Sequence, residues 1–268
     1  MTSPLKTLGD IAQAIPPAQV INQLGSGPFM LVCASGSHRI PSEFHNLKLE
    51  PSLLNSHICK DLGILGFATH LAKQLNSPLV ISTVSPLVYD CTQPADSAQA
   101  IITKRGGVPI PGNAAVNKSA RRARSDKFHS PFRDLIEETI SNAHTPPVLV
   151  SLQSFHETCF DNYDGTDIAI IHDRDTSIAE AILISGNCLT PFDFIKINTS
   201  QTAGGTDYIL TQHGVLNGIL NVKLSIRDSL IQSTHDQSKM AETISRVLIA
   251  ALEIMKKSAS KRRQGHVR

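Results

Sequence analysis

The chain has no tryptophan and only three tyrosines, and aromatic residues make up 4% of it. That leaves few rings on which bases could stack, which argues against a platform for RNA or single-stranded DNA. Long apolar runs are missing too: the longest, such as Phe29–Ala34 and Val247–Leu252, fall far short of the roughly 18 residues that cross a bilayer, so no membrane association is expected. No basic stretch followed by an apolar one opens the chain, because Lys6, Asp10 and Gln13 interrupt the first aliphatics; a cytoplasmic location is the expectation. The five cysteines form no C-x-x-C pair, which fits reduced thiols better than a zinc ribbon or a disulfide framework. There is no G-x-S-x-G elbow, and Cys33, Cys59 and Cys91 lie in apolar stretches that disfavour a thiolate, so covalent catalysis is not expected.

What is present describes a folded chain. Hydrophobic residues make up 41% and charged residues 18% of 268, a composition that buries one large core. We place a single domain over residues 1–255 and a basic, flexible tail over 256–268, where Lys256, Lys257, Lys261, Arg262, Arg263 and Arg268 occur without an acid. The net charge of +2 comes from that tail, and the body is mildly acidic. The tail reads as a solvated end rather than a nucleic-acid patch, so no nucleic-acid partner is expected.

Periodicity alternates between strand and helix. Unbroken apolar or β-rich runs at Phe29–Cys33, Leu79–Val84, Val148–Leu152, Ile168–His172, Phe192–Ile197 and Gly218–Ile226 predict strands. Apolar stripes at three- and four-residue spacing predict helices over Ser56–Asn76, Pro131–Asn142, Ser177–Ile184, Thr206–Leu216 and Met240–Met255, and a short helix is expected before Phe29. Between Tyr89 and Phe128 the pattern is lost among Pro and Gly, which reads as a long functional loop. The alternation predicts an α/β fold, a three-layer α/β/α sandwich around a mostly parallel sheet. Sites in such sheets lie beyond the strand carboxyl ends, which points to Ala34–Arg39, Ser85–Cys91, Gln153–His156, His172–Asp175 and Arg227–Asp228.

The order of these segments resembles the N-formylglutamate amidohydrolase family over nearly the whole chain. Leu31–Pro41 is similar to L-V-C-E-H-A-S-N-x-x-P, His57–Gly63 to H-x-x-x-D-x-G, and Ser85–Pro94 to S-R-L-V-x-D-x-N-R-P. Pro111–Asn113 matches P-G-N, Ser151–Phe155 resembles S-x-H-S-F, and Asp173–Asp175 resembles D-R-D. Asp207–Leu210 with His213–Gly214 resembles D-Y-T-L…H-G, and Asn221–Ile231 resembles N-V-x-x-E-I-R-x-D-L-I. The resemblance implies a fold related to zinc carboxypeptidases and metal-dependent hydrolysis of an amide such as an N-formyl bond. That chemistry requires imidazole and carboxylate ligands, a proton-shuttling carboxylate and cationic groups for the substrate carboxylates.

By the same resemblance, the Glu-His of the first motif falls on Ala34 and Ser35, the His of S-x-H-S-F on Gln153, and the Glu of E-I-R on Ser225. None of these side chains supplies the charge and basicity of the implied ligands and shuttle. A dismantled metal centre is therefore expected, with no catalytic residue and no cofactor assigned, in a protein that binds an anionic small molecule or a partner. Candidates to hold that anion are Arg227, Asn113, Asp90, Asp61 and Arg174; Arg227 offers a bidentate fork for a carboxylate, or equally an internal salt bridge. The alternative is an active amide hydrolase in which His38 and His156 help to hold zinc or another divalent metal at a shifted site.

Overall fold

A computed structural model describes residues 15–157, 165–198 and 207–265. Nine strands are described. β1 (Ala18–Ile21), β2 (Phe29–Cys33) and β3 (Leu79–Ser82) precede a hairpin of β4 (Lys104–Arg105) and β5 (Val108–Pro109); β6 (Val148–Phe155), β7 (Ile168–His172), β8 (Phe194–Asn198) and β9 (Asn221–Arg227) follow. The main sheet has the order β1-β3-β2-β6-β9-β7-β8. Strands β3, β2, β6 and β9 run parallel, as expected for the mostly parallel sheet. Edge strand β1 is antiparallel to β3, and β7 with its parallel neighbour β8 runs against β9.

The strands are apolar because both sheet faces are covered. On the first face, α1 (Ile64–Gln74), α4 (Ser177–Leu189) and α5 (Thr234–Gly265) pack over Leu31, Val150, Leu152, Val222, Leu224 and Ile226. On the second face, α3 (Ser130–Ser141) and the chain between β3 and α3 cover Met30, Val32, Val80 and Leu149. The three layers of the α/β/α expectation are thus present. No helix among the described residues is long and apolar enough to cross a membrane.

Four differences from the sequence reading have local causes. The chain before Phe29 forms the edge strand β1 rather than a helix, pairing Ala18 with Ser82 through Ile21 with Leu79. Helix α1 starts at Ile64, not Ser56, because Gly63 sits at φ +71, outside helical geometry. The stretch 89–128 is not one loop: it contains the β4/β5 hairpin, a short helix α2 (Lys118–Arg124) and a π-helical turn over Ser125–His129. Buried Asn113 anchors this region by donating to the Leu87 and Ile102 carbonyls, while its Oδ1 accepts from Arg124 at 2.8 Å. Finally, α5 continues past Met255 to Gly265, so the start of the basic stretch is helical.

Gly63 tests how tightly the entrance to α1 is built. A Cβ there would lie 2.1 Å from the Ile231 carbonyl oxygen, whereas one at Gly107, also at positive φ, would meet nothing within 4 Å. We expect Gly107→Ala to cost about 1 kcal/mol from the left-handed backbone alone. Gly63→Ala adds a backbone clash and is expected to cost about 3 kcal/mol or more, read as the difference in denaturant midpoints.

Candidate functional site

The register of three adjacent parallel strands builds the centre of the site. Gln153 on β6 stands directly opposite Ser225 on β9. The pairing of Val32 with Ser151 carries Ala34, just past β2, into line with Gln153. Ala34, Gln153 and Ser225 therefore share one row on the second face of the sheet, at the carboxyl ends of their strands. The row is internally satisfied: the Gln153 amide donates to Ser225 Oγ at 3.1 Å. One pleat back along β9, the ammonium of Lys223 forms an ion pair with Asp207, both side chains 10% exposed.

Ser35 points to a second polar group. Its hydroxyl donates to Asp61 Oδ2 at 2.6 Å, its carbonyl accepts from the Asp61 amide, and Arg105 meets Asp61 Oδ1 at 2.9 Å. Burial pushes the Asp61 carboxyl above its ordinary range; Arg105 and Ser35 pull it back, and nearby Asp90 adds like-charge repulsion. Arg105 comes from the β4/β5 hairpin, whose two turn glycines, Gly106 and Gly107, both have positive φ. A cleft of about 340 Å³ lies beside this group, lined by His57, Lys60, Asp61, Arg105, His156 and Asp228 among others. The His57 and His156 rings stack at 5.1 Å and 18°.

The expected site residues divide. Asp61 and His156 meet at the cleft, with Ser35 bonded to Asp61. Asp90 lies near them, but its Oδ1 accepts from the Thr92 amide and hydroxyl, a local turn. Asn113 is buried with its amide committed to the framework. Arg227 takes the salt-bridge role, meeting Asp167 Oδ1 at 2.5 Å beside the start of β7. Arg174 is exposed at the other end of the sheet, because antiparallel β7 carries Asp173–Asp175 towards the start of β9. His38 is exposed with its Nδ1 3.5 Å from Lys60 Nζ, and partial burial followed by that ammonium holds it below the usual histidine range. A group already disfavoured as a cation by Lys60 would meet the same repulsion if it bound a dication.

Sequence reasoning missed Arg105 and Lys60 as cleft residues. The Lys-Arg-Gly-Gly-Val-Pro stretch at 104–109 carried a usable signal, since Gly-Gly between two extended pairs is a hairpin turn. Asp228 stands in the strand-end segment Arg227–Asp228 expected to border a site, and it reaches the cleft because the chain leaves β9 at Arg227 and turns in a short 3₁₀ segment, Asp228–Leu230.

The metal that the family resemblance implies does not fit this donor set. The positions that would supply ligands hold the Ala34 methyl group, the Ser35 hydroxyl, which donates to Asp61, and the Gln153 amide, which donates to Ser225 in the place of the shuttle. Among the described residues, no group of three or more His, Cys, Asp or Glu side chains is arranged to hold a metal ion.

Arg105 neutralises a carboxylate that is mostly removed from water. Arg105→Ala should destabilise the protein by about 1–3 kcal/mol. Adding Asp61→Asn should recover part of that loss, a coupling that a double-mutant cycle of denaturant unfolding measures.

Comparison with known proteins bears on the same elements. The structure is similar to that of gene product Atu2144 from Agrobacterium tumefaciens, with a TM-score of 0.84 and 29% identity over 90% of this chain and 96% of that one. It is also similar to N-formylglutamate amidohydrolase from Ralstonia eutropha JMP134, with a TM-score of 0.65 and 12% identity over 91% of this chain and all of that one, a likeness of fold. No curated protein matches the sequence. The family model for N-formylglutamate amidohydrolase matches residues 27–232, a span from the start of β2 to just beyond β9, and the chain belongs to that family.

Proposed function

We propose that this chain is a binding member of the family, without metal-dependent hydrolysis, whose strand-end cleft takes a small anion. The observation that carries this reading is the row Ala34–Gln153–Ser225, in which hydrogen-bonded neutral side chains occupy the places the family resemblance gives to ligands and shuttle. Lacking a Lewis acid to polarise a carbonyl and a carboxylate to move its proton, the row offers an amide substrate neither half of the chemistry. The cleft beside it supports recognition instead. Lys60 supplies an ammonium, Arg105 a guanidinium fixed by Asp61, and His57 and His156 a pair of polar rings. The groups that line this cleft replace Arg227 and Asn113 as the anion-binding candidates.

The test pairs turnover with binding. Purified protein, given N-formylglutamate and N-acyl amino acids with zinc, manganese or cobalt, is expected to release no more formate or amine than a chelator-treated control. Calorimetry with the same compounds should detect binding that Lys60→Ala weakens about tenfold, the loss of one charge-assisted contact. Metal-stimulated turnover that disappears with chelator and with His156→Ala or His38→Ala would overturn the reading in favour of an active hydrolase with shifted ligands.

A further inference from the structure

Two buried histidines lie away from the cleft, on the α3 side of the sheet. His129 closes the π-helical turn Ser125–His129, and His213 sits within a second such turn, Leu210–Val215. They are 1% and 0% exposed, and none of their four ring nitrogens makes a hydrogen bond of standard geometry. Buried polar atoms are ordinarily paired; the Gln93 backbone gives His129 a weak partner, but both ring nitrogens of His213 are bare, and that calls for an explanation. Tyr208 bridges them, its ring 5.5 Å from His129 and 6.2 Å from His213, and Tyr89 lies 5.8 Å from His129.

The surroundings resist a proton on either ring. From α3, Arg133 acts against protonation of both imidazoles, and a charged His129 would repel a proton on His213. The carboxylates of α3 that face the cluster, Asp134 and Glu137, are themselves engaged by Arg133. Asp134 and the Gln93 carbonyl favour a charged His129 without outweighing its burial. The chain after β3 contributes the neutral Tyr89 and Cys91, whose own ionisation burial opposes. From β9 come Asn221, on which Gly214 packs, and Lys223, already paired with Asp207. Burial comes first among the causes that depress both histidines, and His213 is lowered to about 4.

We propose that His129 and His213 form an acid-operated latch whose protonation releases residues 207–217 from α3 and from the second face of the sheet. Two features make this segment the part that yields. It is held by a π-helical turn rather than a regular helix, and its inward surface contains the unpaired imidazole itself. Release would also free Lys223 of its partner Asp207, one pleat from the Gln153–Ser225 pair, so acid would loosen a wall next to the central row. The sign follows from linkage: a histidine depressed in the closed state takes up its proton on opening, so closure is complete at pH 7 and weakens as pH falls from 6.5 towards 4.

Hydrogen exchange of the full chain, corrected for intrinsic rates and resolved by peptide, tests this at pH 7.5 and pH 5. Amides of 207–217 should lose about thirtyfold of their protection at pH 5 from His213 alone, while β2, β6 and β9 keep theirs. His213→Phe, which keeps a ring against Tyr208 but cannot take a proton, should remove most of that loss, and His129→Phe part of it. Unchanged protection of 207–217 in the wild-type chain overturns the latch, as does a loss spread evenly over the central strands, because that is global acid unfolding. Local loss that survives both substitutions also overturns it. The wild-type measurement decides the matter even if a variant fails to fold.

Discussion

Everything distinctive about this protein depends on the in-register parallel pairing of β2, β6 and β9. Because side chains alternate with a period of two, that register decides which residues form a row and which face they occupy. It brings Gln153 and Ser225, 72 positions apart, within one hydrogen bond, and sets Ala34 beside them. A slip of one residue would bury the amide among the helices of the first face and turn Leu152 or Ile226 into the site. The apolar run of each strand prevents this, since Val150, Leu152, Val222, Leu224 and Ile226 are all needed in the first-face core.

Around this row, polar groups have become framework. Arg227 binds Asp167, Asn113 and Arg124 tie the long connection to the body, and Lys223 pairs with Asp207. Charged groups so enclosed contribute little net stability, because desolvation offsets their attraction, yet removing one partner is costly. They hold one arrangement in place more than they strengthen the fold. The cleft lies where such groups still border an open volume, between the stacked histidines, Lys60 and the Asp61–Arg105 pair. The histidine latch stands on the opposite flank of the same face, where burial rather than charge pairing sets the chemistry.

Much of this was legible in residue order. Five of the seven main-sheet strands have counterparts among the apolar runs within two residues at their start, apart from the unforeseen β1 and the later start of β9, since doubly covered strands announce themselves by composition. The helices were legible in kind but not in extent. α1 is cut short by a backbone conformation at Gly63, and α5 is longer than its apolar stripe because a helix can continue beyond the surface it packs against. The reversal of β7 had no local signature. Strand direction depends on which neighbour a strand pairs with, and β7 begins at the end of the sheet where β6 finishes, with Arg227 donating to the Asp167 carbonyl.

The sequence by itself determined the layered α/β architecture, the family, and the replacement of the implied ligands by Ala34, Ser35, Gln153 and Ser225, because these follow from composition, period and the order of motifs. Only the tertiary structure decided what the remaining polar residues do. It turned Arg227 and Asn113 inward, sent Arg174 to the far end of the sheet, paired His156 with His57 rather than His38, and delivered Arg105 to Asp61 from a hairpin 44 positions away. The physical reason is that burial and periodicity are local properties of a chain, whereas the partner of a charge is whichever group the packed strands and loops bring within about 3 Å of it.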